Sequence, residues 1–363
     1  MSKLNQFLSG VHVLDLTRHL PGPLATLYLA DMGAEVIKIE PPTGDEARSI
    51  GRKNANGRTD FFDAIQAGKR TRMMDFTQPE EVETFIELVK TADILVESFR
   101  PGVMDKLGIG FKRLREINPG LICCSLPGYG SGTPLSHAAG HDANYLSLAG
   151  VLGATGAAEK PYYFNPPVAD CTGSLTAVTS ILGALQARHR TGEGCEIEVA
   201  LADVVMPLQT MYIAELNGTG QSPEREKELL NGGAAFYRIY ATKDKKHVML
   251  GSVEPKFWKA FCEAAGREDL IARQWEPTPQ TEMIKELDVL FAGMTLAECE
   301  EKFIPADCCF TPVLNLQEAL ESPYHQARQL VRKDDKGAYQ ALFPVYVDGE
   351  APALRPELIE ESS

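Results

Sequence analysis

The sequence predicts an α/β protein, with a large Rossmann-like domain built on a parallel sheet and a smaller α+β domain. Short apolar strands alternate with helical patterns over the first 126 residues, which is typical of βαβ units and a parallel sheet. After residue 225 the pattern changes to a hairpin followed by helices. A chain of 363 residues is long enough for two domains with separate cores.

The first βαβ unit begins with an apolar run at residues 11–16, which predicts a buried strand. Apolar residues at helical spacing follow over 24–32, and Gly33 is a helix stop. Residues 36–40 form the next predicted strand. The turn at 17–23 lacks the glycine spacing of dinucleotide-binding proteins, but it leads into a helix N-terminus, which favours anions.

Three cations are candidates for binding an anionic ligand. Lys69 and Arg70 belong to the densest basic run of the chain, which is either a solvated face or a phosphate contact. Arg100 comes just past the end of a predicted strand at 92–99. Open α/β sheets bind ligands beyond the carboxyl ends of their strands, so this arginine is a candidate ligand contact.

Titratable side chains mark the two ends of the stretch 140–170. His141 and Asp170 each stand at the mouth of an apparent helix, next to glycine or proline breaks. Histidine side chains titrate near neutrality, and partial burial raises the pKa of an aspartate towards that range. The pair therefore suits proton transfer, although either residue alone is also common as an ordinary helix cap.

The predicted large domain covers residues 1–200 and is completed by about 325–363. Residues 201–224 are predicted as a linker helix, 225–310 as the small domain and 311–324 as a second linker. The boundaries rest on a shift in composition after the linker helix and on an irregular C-terminal segment.

Composition narrows the class of protein. The net charge is −14, which argues against a nucleic-acid partner because surfaces that follow phosphates are basic. No signal peptide or apolar run of about 18 residues is evident, so neither a membrane partner nor export is expected, and a cytoplasmic location is the default. The eight cysteines include no C-x-x-C pair, so we expect reduced thiols and no metal site.

Several motifs resemble the type III CoA-transferase (CaiB/BaiF) superfamily, and the resemblance covers nearly the whole chain. The shared stretches are PGP at 21–23, GAEVIKIE at 33–40, FRPGV at 99–103 and RTGEG at 190–194. Two departures are Pro41-Pro42, where many relatives have a basic residue, and Pro166, where racemases tend to have asparagine four residues before Asp170.

Within that superfamily the chain is most similar to the α-methylacyl-CoA racemase branch. The sequence GHDANY at 140–145 resembles the racemases' G-H-D-x-N-Y, whereas transferases more often carry tyrosine in place of His141. Asp170 matches the aspartate of both branches. The sequence GSVEPKF at 251–257 resembles the racemases' G-x-x-E-P-x-F.

The resemblance implies an interlocked homodimer with active sites between domains, and an acyl-CoA substrate from fatty acid metabolism. No separate cofactor is implied, because coenzyme A is part of the substrate. By the same resemblance Glu254 hydrogen-bonds His141 and sets its tautomer, while Tyr145, Tyr237 and Asp142 line the substrate pocket.

The leading hypothesis is a racemase or epimerase of 2-methylacyl-CoA thioesters. Such an enzyme would work by 1,1-proton transfer through an enolate, with His141 and Asp170 as the two acid–base groups. The alternative is a type III CoA-transferase that moves CoA between carboxylic acids, with Asp170 as nucleophile. A non-catalytic acyl-CoA-binding protein with the same fold is a third possibility.

Overall fold

The structure is a computed structural model that describes residues 2–361. The chain folds into two compact units. The first contains the residues up to Ala149, Phe164–Leu208 and the chain from Pro323 onwards. The second contains Gly150–Tyr163 and Gln209–Ser322, so it includes a short segment that the predicted boundaries gave to the large domain.

That segment belongs to the second unit because Arg225 holds it. The Arg225 guanidinium donates hydrogen bonds to the carbonyls of Gly153, Ala157 and Ala158 at 2.8 to 3.1 Å. The Glu226 carboxylate accepts a further bond from the Ala158 amide. A hairpin of two short strands, Gly156–Ala157 and Lys160–Pro161, is thereby fixed to the rest of the unit.

The strands and α-helices of both units are numbered together in chain order. They alternate through most of the first unit. The strands are β1 (His12–Leu16), β2 (Glu35–Glu40), β3 (Arg70–Met73), β4 (Ile94–Glu97), β5 (Ile122–Ser125), β6 (Gly156–Ala157), β7 (Lys160–Pro161), β8 (Glu196–Glu198), β9 (Tyr237–Ala241), β10 (His247–Gly251), β11 (Phe310–Pro312), β12 (Val331–Lys333), β13 (Tyr339–Ala341) and β14 (Ile359–Glu360). The α-helices are α1 (Pro21–Asp31), α2 (Asp60–Gln66), α3 (Pro79–Val89), α4 (Val103–Lys106), α5 (Phe111–Ile117), α6 (Asp142–Leu148), α7 (Val168–Thr191), α8 (Thr210–Thr219), α9 (Pro255–Ala265), α10 (Thr281–Ala292), α11 (Leu296–Phe303), α12 (Leu316–Glu321) and α13 (Pro323–Arg328).

A seven-stranded parallel sheet forms the centre of the first unit. Its strand order is β14-β3-β2-β1-β4-β5-β8, and every neighbouring pair is parallel. The sheet and its covering helices confirm the predicted α/β class. Because all seven strands run the same way, their carboxyl ends meet at one edge of the sheet, where such folds bind ligands.

The central strands are apolar because both of their faces are covered. Val13 of β1 packs on one face in a cluster with Leu29 of α1 and Ile181 of α7. Leu14, the next residue, packs on the other face with Phe85 of α3. Each such side chain, fully buried, contributes roughly 1.5–3 kcal/mol to the free energy of unfolding.

Helix α7 is the one helix among residues 2–361 whose length and apolar composition would suit a membrane span. Its apolar side chains have a different use, because Ala177, Val178, Ile181 and Leu185 are buried in the first unit's core. The helix ends at Gly192, which adopts a left-handed conformation (φ 74°) that glycine takes at little cost.

The second unit has its own core of aromatic side chains beneath a three-stranded antiparallel sheet, β11-β10-β9. Trp258 and Phe261 of α9 stack with their ring centroids 5.4 Å apart. Phe291 and Phe303 complete the cluster at centroid distances of 6.0 and 5.2 Å from Phe261. Offset aromatic pairs at these distances add about 0.5–1.5 kcal/mol each beyond their buried area.

A buried ion pair joins β1 to the start of β3. The Lys69 ammonium lies 3.2 Å from the Asp15 carboxylate, and both side chains are fully buried. The same ammonium donates to the Pro23 carbonyl, the Thr26 hydroxyl and the Gln66 side-chain oxygen at 2.8 Å each. Four oxygen partners therefore replace the water that the lysine loses on burial.

Charge pairing holds the Asp15 carboxylate ionised in the interior. Burial alone would raise its pKa, but the positive charges of Lys69 and Lys38 and hydrogen bonds from Thr17 and Thr26 lower the pKa to about 2. Burial has the opposite effect on the partner and lowers the pKa of Lys69 to about 8.

Replacing one member of this pair is expected to destabilise the protein strongly. We expect Lys69→Met to lower the free energy of unfolding by about 3–5 kcal/mol, because it leaves the Asp15 carboxylate buried with less compensation. Lys90→Met, which breaks an exposed pair with Glu87, is expected to cost less than about 1 kcal/mol. Urea denaturation followed by circular dichroism measures both changes, and equal losses for the two variants would contradict the role of the buried pair.

Candidate active site

His141 stands directly before helix α6 as its N-cap residue. Its backbone is extended, with φ −131° and ψ 174°, and its amide donates to the Asn144 side-chain oxygen at 3.0 Å. This bond satisfies the His141 amide and fixes the entry of the chain into the helix. The imidazole itself remains exposed.

Asp142 ties the start of α6 to the start of α7. One of its carboxylate oxygens, Oδ1, accepts hydrogen bonds from the amides of Ala169 and Asp170 at 2.6 and 3.2 Å. These amides belong to the first turn of α7, where backbone N–H groups have no partner within the helix. A carboxylate is well placed there, because the helix dipole favours negative charge at an N-terminus.

Asp170 lies in the first turn of α7 and is half-buried. Burial raises the pKa of its carboxyl group to about 6, the negative charge of Asp142 adds to the rise, and His141 opposes it. Asp142, the residue after His141, accepts a hydrogen bond from the Asp170 amide, so the N-termini of α6 and α7 adjoin. The predicted pair is therefore brought together within the first unit.

Two tyrosine side chains pack against Gly140, the residue before His141. The hydroxyl of Tyr145, which is buried, donates to the Gly140 carbonyl at 2.7 Å. The Tyr129 and Tyr145 rings meet edge to face with their centroids 5.2 Å apart. A Cβ atom on Gly140 would lie 2.5 Å from the Tyr129 hydroxyl oxygen and 2.9 Å from a ring carbon of Tyr145. Only glycine fits at this position without moving the two rings.

Tyr145 is held as a neutral phenol. Burial raises its pKa to about 12, and the charges of Asp170, Tyr129 and Asp142 act in the same direction. Tyr145 therefore donates a hydrogen bond to the backbone and does not take part as a base near neutral pH.

A cleft with a volume of about 160 Å³ opens at the carboxyl ends of β1, β2, β3 and β4. Two of the charged residues that line it, Lys38 and Asp45, are paired with each other at 2.9 Å. Arg18 also lines the cleft, and its guanidinium lies 5.5 Å from the centre of the Phe99 ring. The cleft thus combines a cation, an aromatic face and the position in the fold that typically holds ligands.

Two of the three predicted cations form ion pairs with carboxylates of the protein itself. Lys69 is fully buried in its ion pair with Asp15, and Arg70 pairs with Glu361 beside β14. Arg70 also begins β3, which puts it at the amino edge of the sheet, away from the cleft. The fully buried Lys69 does not fit the predicted phosphate contact, whereas the side chain of Arg70 is exposed and its phosphate contact stays a prediction. Arg100 follows β4 and is exposed.

Asp142 has a structural role besides its predicted place in the substrate pocket, which stays a prediction. Its Oδ1 atom accepts hydrogen bonds from two backbone amides of α7. Its described role is to join two helices and to raise the pKa of Asp170.

Glu254 and Tyr237 lie in the second unit. Glu254 is the N-cap residue of α9, and its exposed side chain makes no hydrogen bond to the amides of that helix. The ordinary capping role is therefore not what its carboxylate performs. Tyr237 is the first residue of β9 and is partly buried.

Sequence reasoning missed two residues of the turn between β1 and α1. Arg18 lines the cleft, and the His19 ring lies 6.4 Å from that of His141, centre to centre. The sequence gave a partial signal for this turn, since it follows a strand and leads into a helix N-terminus. Nothing in the spacing distinguished these two side chains from solvated ones.

An open parallel sheet with a cleft at its carboxyl edge, and a histidine and an aspartate at adjoining helix N-termini, are typical of α/β enzymes with acid–base or acyl-transfer chemistry. The comparison with known families identifies the protein further. The model for CoA-transferase family III matches residues 8–356. The chain belongs to this family of CoA-transferases and racemases.

Relatives of both activities are similar to the chain. Human "Alpha-methylacyl-CoA racemase" is 33% identical over 88% of this chain and 81% of its own length. "Succinyl-CoA:mesaconate CoA-transferase" of Haloarcula hispanica is 32% identical over 98% of this chain and 96% of its own. A crystal structure of a CaiB/BaiF family protein from Brucella suis superposes with a TM-score of 0.84 at 26% identity, covering 96% of this chain and 95% of that one.

The raised pKa of Asp170 predicts a pH-dependent effect on stability. A carboxyl group whose folded pKa is about 6 favours folding while protonated, and this contribution is lost as the pH rises through 6. We therefore expect Asp170→Asn to match the wild type in free energy of unfolding near pH 4 and to exceed it by roughly 1–3 kcal/mol at pH 8. Urea denaturation across this range measures the difference. Asp335→Asn, at an exposed carboxylate, is the control and should show no such trend.

Gly140→Ala is expected to lower kcat by about 10-fold or more, because its Cβ would displace the two tyrosine rings beneath His141. Gly183→Ala is the matched control, since nothing lies within 4 Å of a Cβ at that exposed helical position. Steady-state kinetics with an acyl-CoA substrate measures the change. Full activity of Gly140→Ala would show that the packing around Tyr129 and Tyr145 does not hold the site.

Proposed function

We propose that this protein racemises 2-methylacyl-CoA thioesters, with His141 and Asp170 as the two acid–base groups. The observation that carries the proposal is the placement of these two residues at adjoining helix N-termini, which the Asp142 carboxylate joins by hydrogen bonds to the first amides of α7. The motif around His141 is the one that resembles racemases, and a racemase is among the similar proteins.

The reaction needs a base on one face of carbon 2 and an acid on the other. The base removes the proton from carbon 2, and the electron pair of the broken C–H bond moves into the thioester to form an enolate. The acid then donates its proton to the opposite face, which gives the other enantiomer. One enantiomer uses His141 as base and Asp170 as acid, and the other uses them in reversed roles.

The pKa of about 6 at Asp170 supports this exchange of roles. An ordinary aspartate is almost fully ionised at neutral pH and is therefore a poor proton donor. Raising its pKa increases the protonated fraction and also makes the ionised form a stronger base, so the group serves in both directions.

The enolate oxygen needs hydrogen-bond donors, and the first amides of α6 are the proposed source. In α7 the amides of Ala169 and Asp170 already bond to Asp142. Aligned N–H groups that face a developing negative charge are a large stabilising contribution in such reactions.

The cleft at the carboxyl edge of the sheet is proposed to hold the nucleotide end of CoA. Arg18 and Phe99 supply a cation and an aromatic face on its lining. Pro41 and Pro42 also line it, at the place where many relatives carry a basic residue. Arg18 is therefore the residue that we expect to contact a phosphate group in this protein.

The proposal extends to a homodimer in which Glu254 hydrogen-bonds His141 and Tyr237 lines the acyl pocket. Support comes from the resemblance of residues 251–257 to racemases and from the free state of the Glu254 carboxylate at its helix N-terminus. A carboxylate that accepts from one imidazole nitrogen fixes which nitrogen carries the proton.

The alternative function is CoA transfer between carboxylic acids, and the similar CoA-transferases favour it. In that reaction the Asp170 carboxylate attacks the thioester and CoA leaves as thiolate; the thiolate then attacks the aspartyl carbonyl of the anhydride, which releases the donor acid as carboxylate and leaves an aspartyl-CoA thioester. The acceptor carboxylate attacks this thioester and expels the CoA thiolate, which then attacks the acceptor's carbonyl in the new anhydride, so that the acceptor leaves as its CoA thioester and Asp170 as carboxylate. His141 has no essential part in this sequence.

Exchange in D₂O distinguishes the two activities. With (2R)- or (2S)-2-methylacyl-CoA and no acceptor acid, we expect deuterium at carbon 2 and loss of optical purity. His141→Ala and Asp170→Ala are each expected to lower the exchange rate by about 10²–10⁴-fold, because each removes one of the two acid–base groups. Mass spectrometry and chiral chromatography of the hydrolysed acid measure both quantities.

The control for the exchange assay is His189→Ala, at an exposed histidine near the end of α7. Full exchange by His141→Ala would refute the two-base mechanism. A transferase would instead show no exchange, would require an added acid, and would give Asp170 labelled by hydroxylamine in the presence of acyl-CoA.

A further inference from the structure

His19 is a non-glycine residue held in a left-handed conformation at the edge of the site. Its φ is 64°, which costs a side-chain-bearing residue free energy unless the surrounding structure imposes it. It lies in the turn that leads from β1 to α1, at the carboxyl edge of the sheet. Such strained residues are concentrated at functional sites.

Hydrogen bonds fix the backbone of Thr17 and Arg18, the two residues before His19. The Thr17 amide donates to Asp15 at 2.9 Å, and the Thr17 carbonyl accepts from the Lys38 ammonium. The Arg18 amide donates to the Ser98 hydroxyl at 3.0 Å. Buried charges and hydrogen bonds therefore determine the backbone, and His19 has no freedom to relax.

A second bond connects this turn to the helix that carries Asp170. The Ser174 hydroxyl, fully buried, lies 2.6 Å from the Pro21 carbonyl and 2.9 Å from the Asp170 carbonyl. The Ser174 hydroxyl thus links Pro21, at the end of the β1–α1 turn, to Asp170 in the first turn of α7.

The His19 side chain contacts the imidazole of His141. The two rings meet edge to face, with an interplanar angle of 89° and centroids 6.4 Å apart. His19 Nε2 also lies 3.6 Å from a carboxylate oxygen of Glu46. The ring therefore has as neighbours a carboxylate and the histidine that is proposed to act on the substrate.

We propose that His19 is a positioning residue for His141. Its ring covers one side of the His141 imidazole and restricts the plane in which that imidazole can rotate. His141 is exposed, and proton transfer to carbon requires a fixed direction of its imidazole. The strained backbone holds the His19 ring against His141.

The kinetic part of this inference rests on the proposed function, and the ring contact does not. His19→Asn removes the ring and keeps a residue type that tolerates the left-handed conformation. His19→Phe restores a ring of similar size without the nitrogens. His12→Asn is the matched control, since His12 begins β1, the strand before the turn with His19, and also lies beside a carboxylate, with a closely similar exposed fraction of 51% against 48%.

The test combines NMR on protein labelled at histidine with steady-state racemisation. In the wild type we expect a nuclear Overhauser cross-peak between the ring protons of His19 and His141, assigned with His141→Gln. In His19→Asn we expect kcat to fall about 10- to 100-fold with KM within about twofold, and line broadening of the His141 ring signal. His19→Phe should restore the sharp signal and most of kcat, while His12→Asn should change neither.

Each outcome decides the inference. Absence of the cross-peak, or an unchanged His141 signal in His19→Asn, overturns it whatever the activity. A His19→Phe variant as slow as His19→Asn also overturns it, because a ring alone would then not suffice. If the wild type racemises nothing, the proposed function fails and the NMR comparison still decides whether His19 positions His141.

Discussion

The site depends on the hydrogen bonds that the Asp142 carboxylate accepts from helix α7. This carboxylate accepts from the first amides of α7 while belonging to the first turn of α6, so two helix N-termini are held together by one side chain. The helix dipole and the unpaired amides make this favourable. The same negative charge contributes to the raised pKa of Asp170, so one group provides both the geometry and part of the acid–base behaviour.

The buried charges beneath the site have a different task. Asp15 and Lys69 neutralise each other in the interior and, together with Lys38, hold the carbonyls of Thr17 and Pro23. A buried ion pair contributes little net stability compared with an apolar core, but it fixes directions that apolar packing leaves open. The turn between β1 and α1 therefore has one conformation, and the left-handed backbone of His19 is maintained by its surroundings.

Much of the fold followed from local pattern. Strands β1 and β2 with helix α1 were predicted because an apolar run, a helical spacing and a glycine stop follow one another. Strand β3 was not, because its basic residues are typical of a surface and its partner β14 comes from the end of the chain. The placement of His141 and Asp170 followed from the motif. The internal use of Lys69 and Asp142 did not, since their partners lie 54 and 27 residues away in the sequence.

The division of the first unit into three chain segments has a consequence for how the protein is made. Its edge strand β14 comes from residues 359–360, so the sheet is complete only after residue 360 has been translated. Residues 209–322 of the second unit emerge from the ribosome before that strand exists. The order of synthesis thus favours early folding of the second unit, while the first waits for pairings across most of the chain length, which form slowly because of their high contact order.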